Sequence, residues 1–155
     1  MAHWQYNCRH RRQTFRLGSN QRQRACSLAV PLPGATMTTM TPDQAMERLN
    51  LILAHAWMIR QFLKHADEVQ DDEEMLEVHR MIFDYLRAVE PAYQRKDAKE
   101  YLLRAQGKLS KLKKQAEFFA REYRRVSDHT NFEMAARSLS FCVQQIEEVL
   151  ASIQK

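Results

Sequence analysis

Residues 41–66 read TPDQAMERLNLILAHAWMIRQFLKHA, and this stretch decides the fold. It opens with three agreeing helix-start signals. Thr41 is a good N-cap, Pro42 suits the first helical position, and Gln44 completes a capping box with Thr41. Apolar residues then recur at Ala45, Leu49, Ile52, Leu53, Ala56, Ile59, Leu63 and Ala66, the i, i+3, i+4, i+7 spacing of one helix face. The pattern predicts a helix ending near Asp67.

Three further stretches repeat this grammar. Asp71-Asp72 opens a second helix, with Glu73 and Glu74 favourably placed at its positive end. Its stripe runs Met75, Leu76, His79, Ile82, Phe83, Leu86 and Val89, and Pro91 is expected to stop or sharply kink it, since proline lacks the amide donor. Asp97 and Glu100 form a capping-box pattern for a third helix, striped by Ala98, Tyr101, Ala105, Leu109, Leu112, Ala116, Phe119, Tyr123 and Val126. Gly107 sits inside it at a cost of roughly 1 kcal/mol against Ala. Thr130 to Glu133 read as the cap of a fourth helix, with Phe132, Ala136, Leu139, Val143, Ile146, Leu150 and Ile153 facing inward. Steps alternating 3 and 4, joined by short connections, predict an all-α chain: an antiparallel up-down-up-down four-helix bundle. With Gly 3 and Pro 4 in 155 residues, a β-rich or loop-rich protein is disfavoured. No apolar stretch reaches about 18 residues without charge, so no membrane span is expected.

Residues 1–36 are different in kind. They hold six Arg and no Asp, Glu or Lys, and they show no sustained period. They read as a disordered basic N-terminal extension, ahead of a domain over 37–155. Three readings stay open for this segment: an upstream stretch with translation starting at Met37 or Met40, a tail for an anionic surface, or a transit-type peptide. Cys8, His10, Cys26 and His3 match no usual zinc spacing. The remaining residues hold 18 bases against 19 acids, so the basic character of the whole chain belongs to the extension. Within the domain, charge is polarised. Asp67 to Glu90 carry nine acids and two bases, whereas Arg95 to Arg125 carry eleven bases and four acids. Complementary faces of neighbouring helices explain this asymmetry. Alternatively, Lys108, Lys111, Lys114, Arg121 and Arg125 form a basic stripe for a polyanion. Nucleic acid is not favoured, because Tyr101, Phe119 and Tyr123 fall on the core side and cannot stack on bases.

Catalytic patterns do not assemble. A carboxylate-bridged metal pair in a bundle needs inward Glu residues with Glu-x-x-His spacing, and none is present. His79 falls within the second stripe and reads as a buried polar residue making one hydrogen bond, while His55 lies on the flank of the first helix and His65 on its far side. Cys142 is the single cysteine after Cys26 and lies off the centre of its stripe. Ser127, Asp128 and His129 are better explained as helix-cap chemistry than as a triad. A phosphate-cradling loop needs several glycines, and the domain has one. No cofactor or metal is expected, and the chain reads as cytoplasmic and as leaning away from an enzyme.

What remains is a second row on the first helix: Leu51, Met58 and Phe62, with His55 between them. A helix apolar on more than one side is central or shared with a partner. The leading expectation is therefore a small non-enzymatic protein for protein–protein interaction or assembly through this row, as a homodimer or with another protein. Polyanion binding through the third helix is the first alternative. A metal- or ligand-binding bundle enzyme using the His55/His79 region is the second.

All capping and periodic signals begin at Thr41 or later, so a chain starting at Met37 should unfold as cooperatively as the full chain. Thermal unfolding of the two by circular dichroism checks this. Loss of the cooperative transition on shortening would show that the first 36 residues complete the core.

Overall fold

The computed structural model describes residues 39–153, and these are all-α, with no strand among them. The elements are α1 (Pro42–His65), α2 (Asp67–Gln70), α3 (Glu73–Gln94), α4 (Ala98–Glu122) and α5 (Thr130–Ala151), with a 3-10 turn at Tyr123–Arg125. The expected extension over residues 1–36 lies outside the described residues. Among the described residues no helix is long and apolar enough to cross a membrane.

The caps form largely as their residue types dictate. Thr41 Oγ1 accepts from the Gln44 amide at 3.3 Å, and Gln44 Oε1 accepts from the Thr41 amide at 3.0 Å. Asp72 Oδ1 accepts from the amides of Glu74 and Met75 at the start of α3. Asp97 Oδ1 accepts from the Glu100 amide. Its capping box stays half-made, because the Glu100 carboxylate turns to Arg104 at 2.6 Å instead. The cap of α5 is His129 rather than Thr130: its Nδ1 accepts from the Asn131 amide at 3.1 Å.

Three local expectations need correction. The buried face of α3 is Met75, Val78, Ile82, Tyr85, Val89 and Ala92, so that the expected Leu76, His79, Phe83 and Leu86 are only half-buried at its flank. Pro91 does not stop α3, which runs through it to Gln94. The missing amide leaves the Arg87 carbonyl without its helical donor, but Pro91 is exposed, and buried Ala92 one residue on holds the last turn to the core. The chain turns away just past the helix, at Lys96, whose φ of 57 is left-handed. There the Lys96 amide donates to Tyr93 and the Asp97 amide to Ala92, a Schellman closure that reverses the chain at once. The short α2 was not anticipated. It buries Val69 completely, and Gln70 Nε2 donates back to the Lys64 carbonyl at 2.9 Å, closing the end of α1.

Cross-helix contacts give direction and order. Arg125, after α4, meets Asp72 and Glu74 at the start of α3, while Tyr85 Oη donates to the Ala105 carbonyl nearer the other end. α3 and α4 are thus antiparallel. Tyr93 with Glu47 and Trp57 with Phe83 place α1 antiparallel to α3. Phe62 with Phe132, and Met40 with Ser152, do the same for α1 and α5. α4 packs on α5, and α1 also reaches α4 across the core, whereas α3 and α5 do not meet.

The core is apolar: no polar or charged residue is buried as a whole among the described residues. Met46, Leu49, Leu53 and Leu63 of α1 face Met75, Ile82 and Tyr85 of α3, Tyr101, Leu112 and Phe119 of α4, and Leu139 and Ile146 of α5. The hydroxyl of Tyr85 is satisfied, but that of equally buried Tyr101 has no partner. Burial pushes both phenols above their ordinary range.

Leu139 and Leu112 sit at 0% and 1% exposure in the middle of their stripes. Leu139→Ala and Leu112→Ala should each destabilise by about 2–5 kcal/mol, the usual range for large-to-small core changes. Denaturant midpoints read this directly. Unmoved midpoints would contradict the core assignment.

Candidate functional site

The side chains that the core does not use fall into three groups. The first is on the outside of α1. Leu51 is 67% exposed and Met58 64%, and His55 is exposed between them. Phe62 departs from the expected row. It is half-buried, its ring set edge-on to Phe132 with centroids 5.1 Å apart, so it belongs to the seam between α1 and α5. Exposed apolar side chains also stand on the neighbouring helix. On α5, Phe141 is 58% exposed and Met134 42%. The register that sets Cys142 Sγ against the Ile52 carbonyl, and Phe62 against Phe132, brings Phe141 level with Leu51 and His55, and Met134 level with Met58 and Phe62, while Phe141 also walls a groove with Ala120 and Tyr123 on the α4 side.

Composition reinforces the geometry. Residues 49–59 (LNLILAHAWMI) and 138–146 (SLSFCVQQI) contain no Asp, Glu, Lys or Arg. Core-facing positions explain half of that. The outward positions would carry charge on an ordinary solvated helix, and here they carry Leu, Met, Phe, His, Ser and Gln. Sequence reading noted the stripe of α5 and passed over its outer row. The signal was the i, i+7 spacing of Met134 and Phe141.

The second group lies on the seam between α1 and α3. The Arg60 guanidinium stacks 4.5 Å from the Trp57 ring and 4.8 Å from Phe83, and its Nε is buried without a partner. Next to it opens a groove of about 480 Å³, walled by Trp57, Phe83, Leu86 and Pro91, with Arg87 and Glu90 at its polar edge. His79 lies one turn before Phe83. It is half-buried rather than part of the core, and its Nδ1 lacks the hydrogen bond expected of it. Burial first, then the charges of Arg60, Arg80 and Lys64, hold its pKa below the ordinary 6.5. His55 faces outward on the α5 side, so the fold does not bring His55 and His79 together. Cys142 is not off the stripe but buried against α1, and burial raises its thiol to about 11.

The third group is the basic stripe of α4. Lys108, Lys111 and Lys114 are exposed, and none of them forms an ion pair among the described residues. Arg121 pairs with Glu122 at 2.9 Å, and Arg125 is held by Asp72 at 2.9 Å and Glu74 at 2.8 Å. The expected five-residue stripe is thus reduced to three free lysines. The acidic α3 runs alongside and offsets their field.

Comparison with protein-family models, curated proteins and solved structures finds no match to this chain.

His79 gives a pH signature with a definite sign. Below pH 6.5 the unfolded chain takes up a proton that folded His79 resists. Its contribution is complete above that pH and is lost as pH falls toward the lowered folded value. The denaturant midpoint of the wild type should therefore fall more steeply on acidification below 6.5 than that of His79→Gln. Parallel curves would show that the histidine has no such role.

Proposed function

We propose that this chain is a non-enzymatic, antiparallel up-down-up-down four-helix bundle that works by protein–protein association through the outer face of α1, extended by α5. One observation carries the reading: Leu51, Met58 and Phe141 stand more than half exposed inside two stretches without a charged residue. Single exposed apolar side chains are ordinary, and Leu103 on α4, at 69%, is one. A neutral row shared by adjoining helices is the pattern that interfaces favour, with Met and aromatic residues at the centre and charge kept to the rim.

The non-enzymatic part rests on separation. Cys142 faces α1 from α5, while His79 lies on α3 against the opposite side of α1, so among the described residues this thiol does not meet that base. A buried free thiol also suits a reducing compartment, for which we take the cytoplasm. Polyanion binding through Lys108, Lys111 and Lys114 is the second reading, favoured by their freedom from ion pairs. The neighbouring acids of α3 weaken it.

A photoreactive residue replacing Met58 in the full chain, irradiated in living cells, should give covalent adducts to protein. The same residue at position 108 should give few. Adducts at 108 that contain nucleic acid, with none at 58, would favour the second reading. No adduct at 58 would contradict association through this face.

A further inference from the structure

The face on α1 and α5 has a property that selects its occupant. In a two-fold dimer, groups near the axis meet their own copies, so a charge there faces a like charge at close range. Most of this protein's surface fails that requirement, because α3 carries a run of acids and α4 a run of bases. The α1/α5 face satisfies it. Leu51, His55 and Met58 on α1 and Ser138 and Phe141 on α5 form a neutral centre that can meet itself without repulsion.

Size points the same way. α1 has 24 residues and α5 has 22, so each is about 33–36 Å long at 1.5 Å per residue. Two such helices side by side present a face roughly 20 Å wide, or roughly 700 Å² per copy. A standard stable interface covers about 800 Å² per partner.

The rim sets direction. At one end of the outer row of α5 stands Glu148, whose carboxylate accepts from Gln144 and Gln145. Within the row, between Met134 and Phe141, stands Arg137, largely exposed and only loosely paired with Glu133 at 3.5 Å. A parallel arrangement about an axis along the helices would set Glu148 near Glu148. An antiparallel one, with the axis across the helices, sets Glu148 opposite Arg137 of the second copy.

We infer that a second copy of this chain covers the α1/α5 face in a two-fold arrangement, α1 against α1 and α5 against α5, both antiparallel. This rests on the association reading above and names its partner. The two copies together bury Leu51, Met58, Met134 and Phe141 in a second four-helix layer. The seam side chains Phe62 and Phe132 anchor that layer to the core of each subunit.

Sedimentation equilibrium of the purified full chain should give twice the 18.4 kDa chain mass, dissociating on dilution. Leu51→Glu and Phe141→Glu should each raise the dissociation constant by about tenfold or more, with helicity by circular dichroism unchanged, as expected of positions already in water. Leu103→Glu should leave it unchanged. Glu148→Arg should weaken the dimer, and adding Arg137→Glu should restore it. A single-chain mass at every concentration overturns the inference. If Met58 adducts in cells then contain a different protein, the association reading stands with another partner, and if there are none, both fall. A monomeric full chain that dimerises only when started at Met37 overturns it too, by giving the face to residues 1–36. A dimer that Leu51→Glu leaves intact puts the interface elsewhere. A dimer that the charge exchange fails to restore refutes the antiparallel arrangement.

Discussion

The packing of α1 is the constraint on which the rest of the structure depends. It touches α3, α4 and α5, and its end is closed by α2. A helix with three long neighbours must be apolar over a wide arc, and residues 49–59 meet that demand by carrying no charge at all. Leu49, Leu53 and Ala56 fill the centre, Trp57 goes to the α3 seam, and Phe62 goes to the α5 seam. Leu51 and Met58 are left over on the outside. The apolar character that builds the interior thus spills onto the surface at one place, beside the one helix whose outer face is also uncharged in its middle.

Burial, rather than ion pairing, holds the arrangement. The ion pairs among the described residues join largely exposed or half-exposed side chains, and such pairs contribute about 0–1 kcal/mol each, less in salt. Their work is one of direction. Arg125 gathers Asp72 and Glu74, fastening the end of α4 to the start of α3, where Asp72 already caps the helix. The amide of Met40 donates to the Ser152 carbonyl at 3.0 Å, fastening the entry of α1 to the exit of α5. Among the described residues Arg125 alone pairs the basic segment with the acids at the start of α3, and Lys108, Lys111 and Lys114 stay unpaired.

Much of this was legible in the sequence because helices announce themselves through period and caps. The stripes of α4 and α5, and the Thr41–Gln44 box, lie largely where the spacing puts them, whereas the buried face of α3 is turned onto Val78 and Tyr85. The misses share a physical origin. Pro91 read as a stop, because local rules cannot weigh the burial of Ala92 just beyond it. Cys142 read as peripheral, because a stripe drawn in steps of 3 and 4 is narrower than the arc two neighbouring helices cover. Phe62 left the outer row for the seam with Phe132, because the side of α5 that meets α1 is decided by helix order and not by either helix alone. For the site, the row on α1 was visible in advance. The exposed side chains of α5 beside it depend on the helix register, and the stacked Arg60, which satisfies none of the usual motif patterns, depends on how α1 meets α3.

The most direct test of α1 and α5 as a shared outer face is a concentration series of amide and methyl spectra on isotopically labelled full chain. Resonances of Leu51, His55, Met58, Met134 and Phe141 should move together as concentration rises, while those of Lys108, Lys111 and Lys114 on the opposite side stay fixed. Spectra that do not change with concentration, or changes centred on the lysines of α4, would contradict the account.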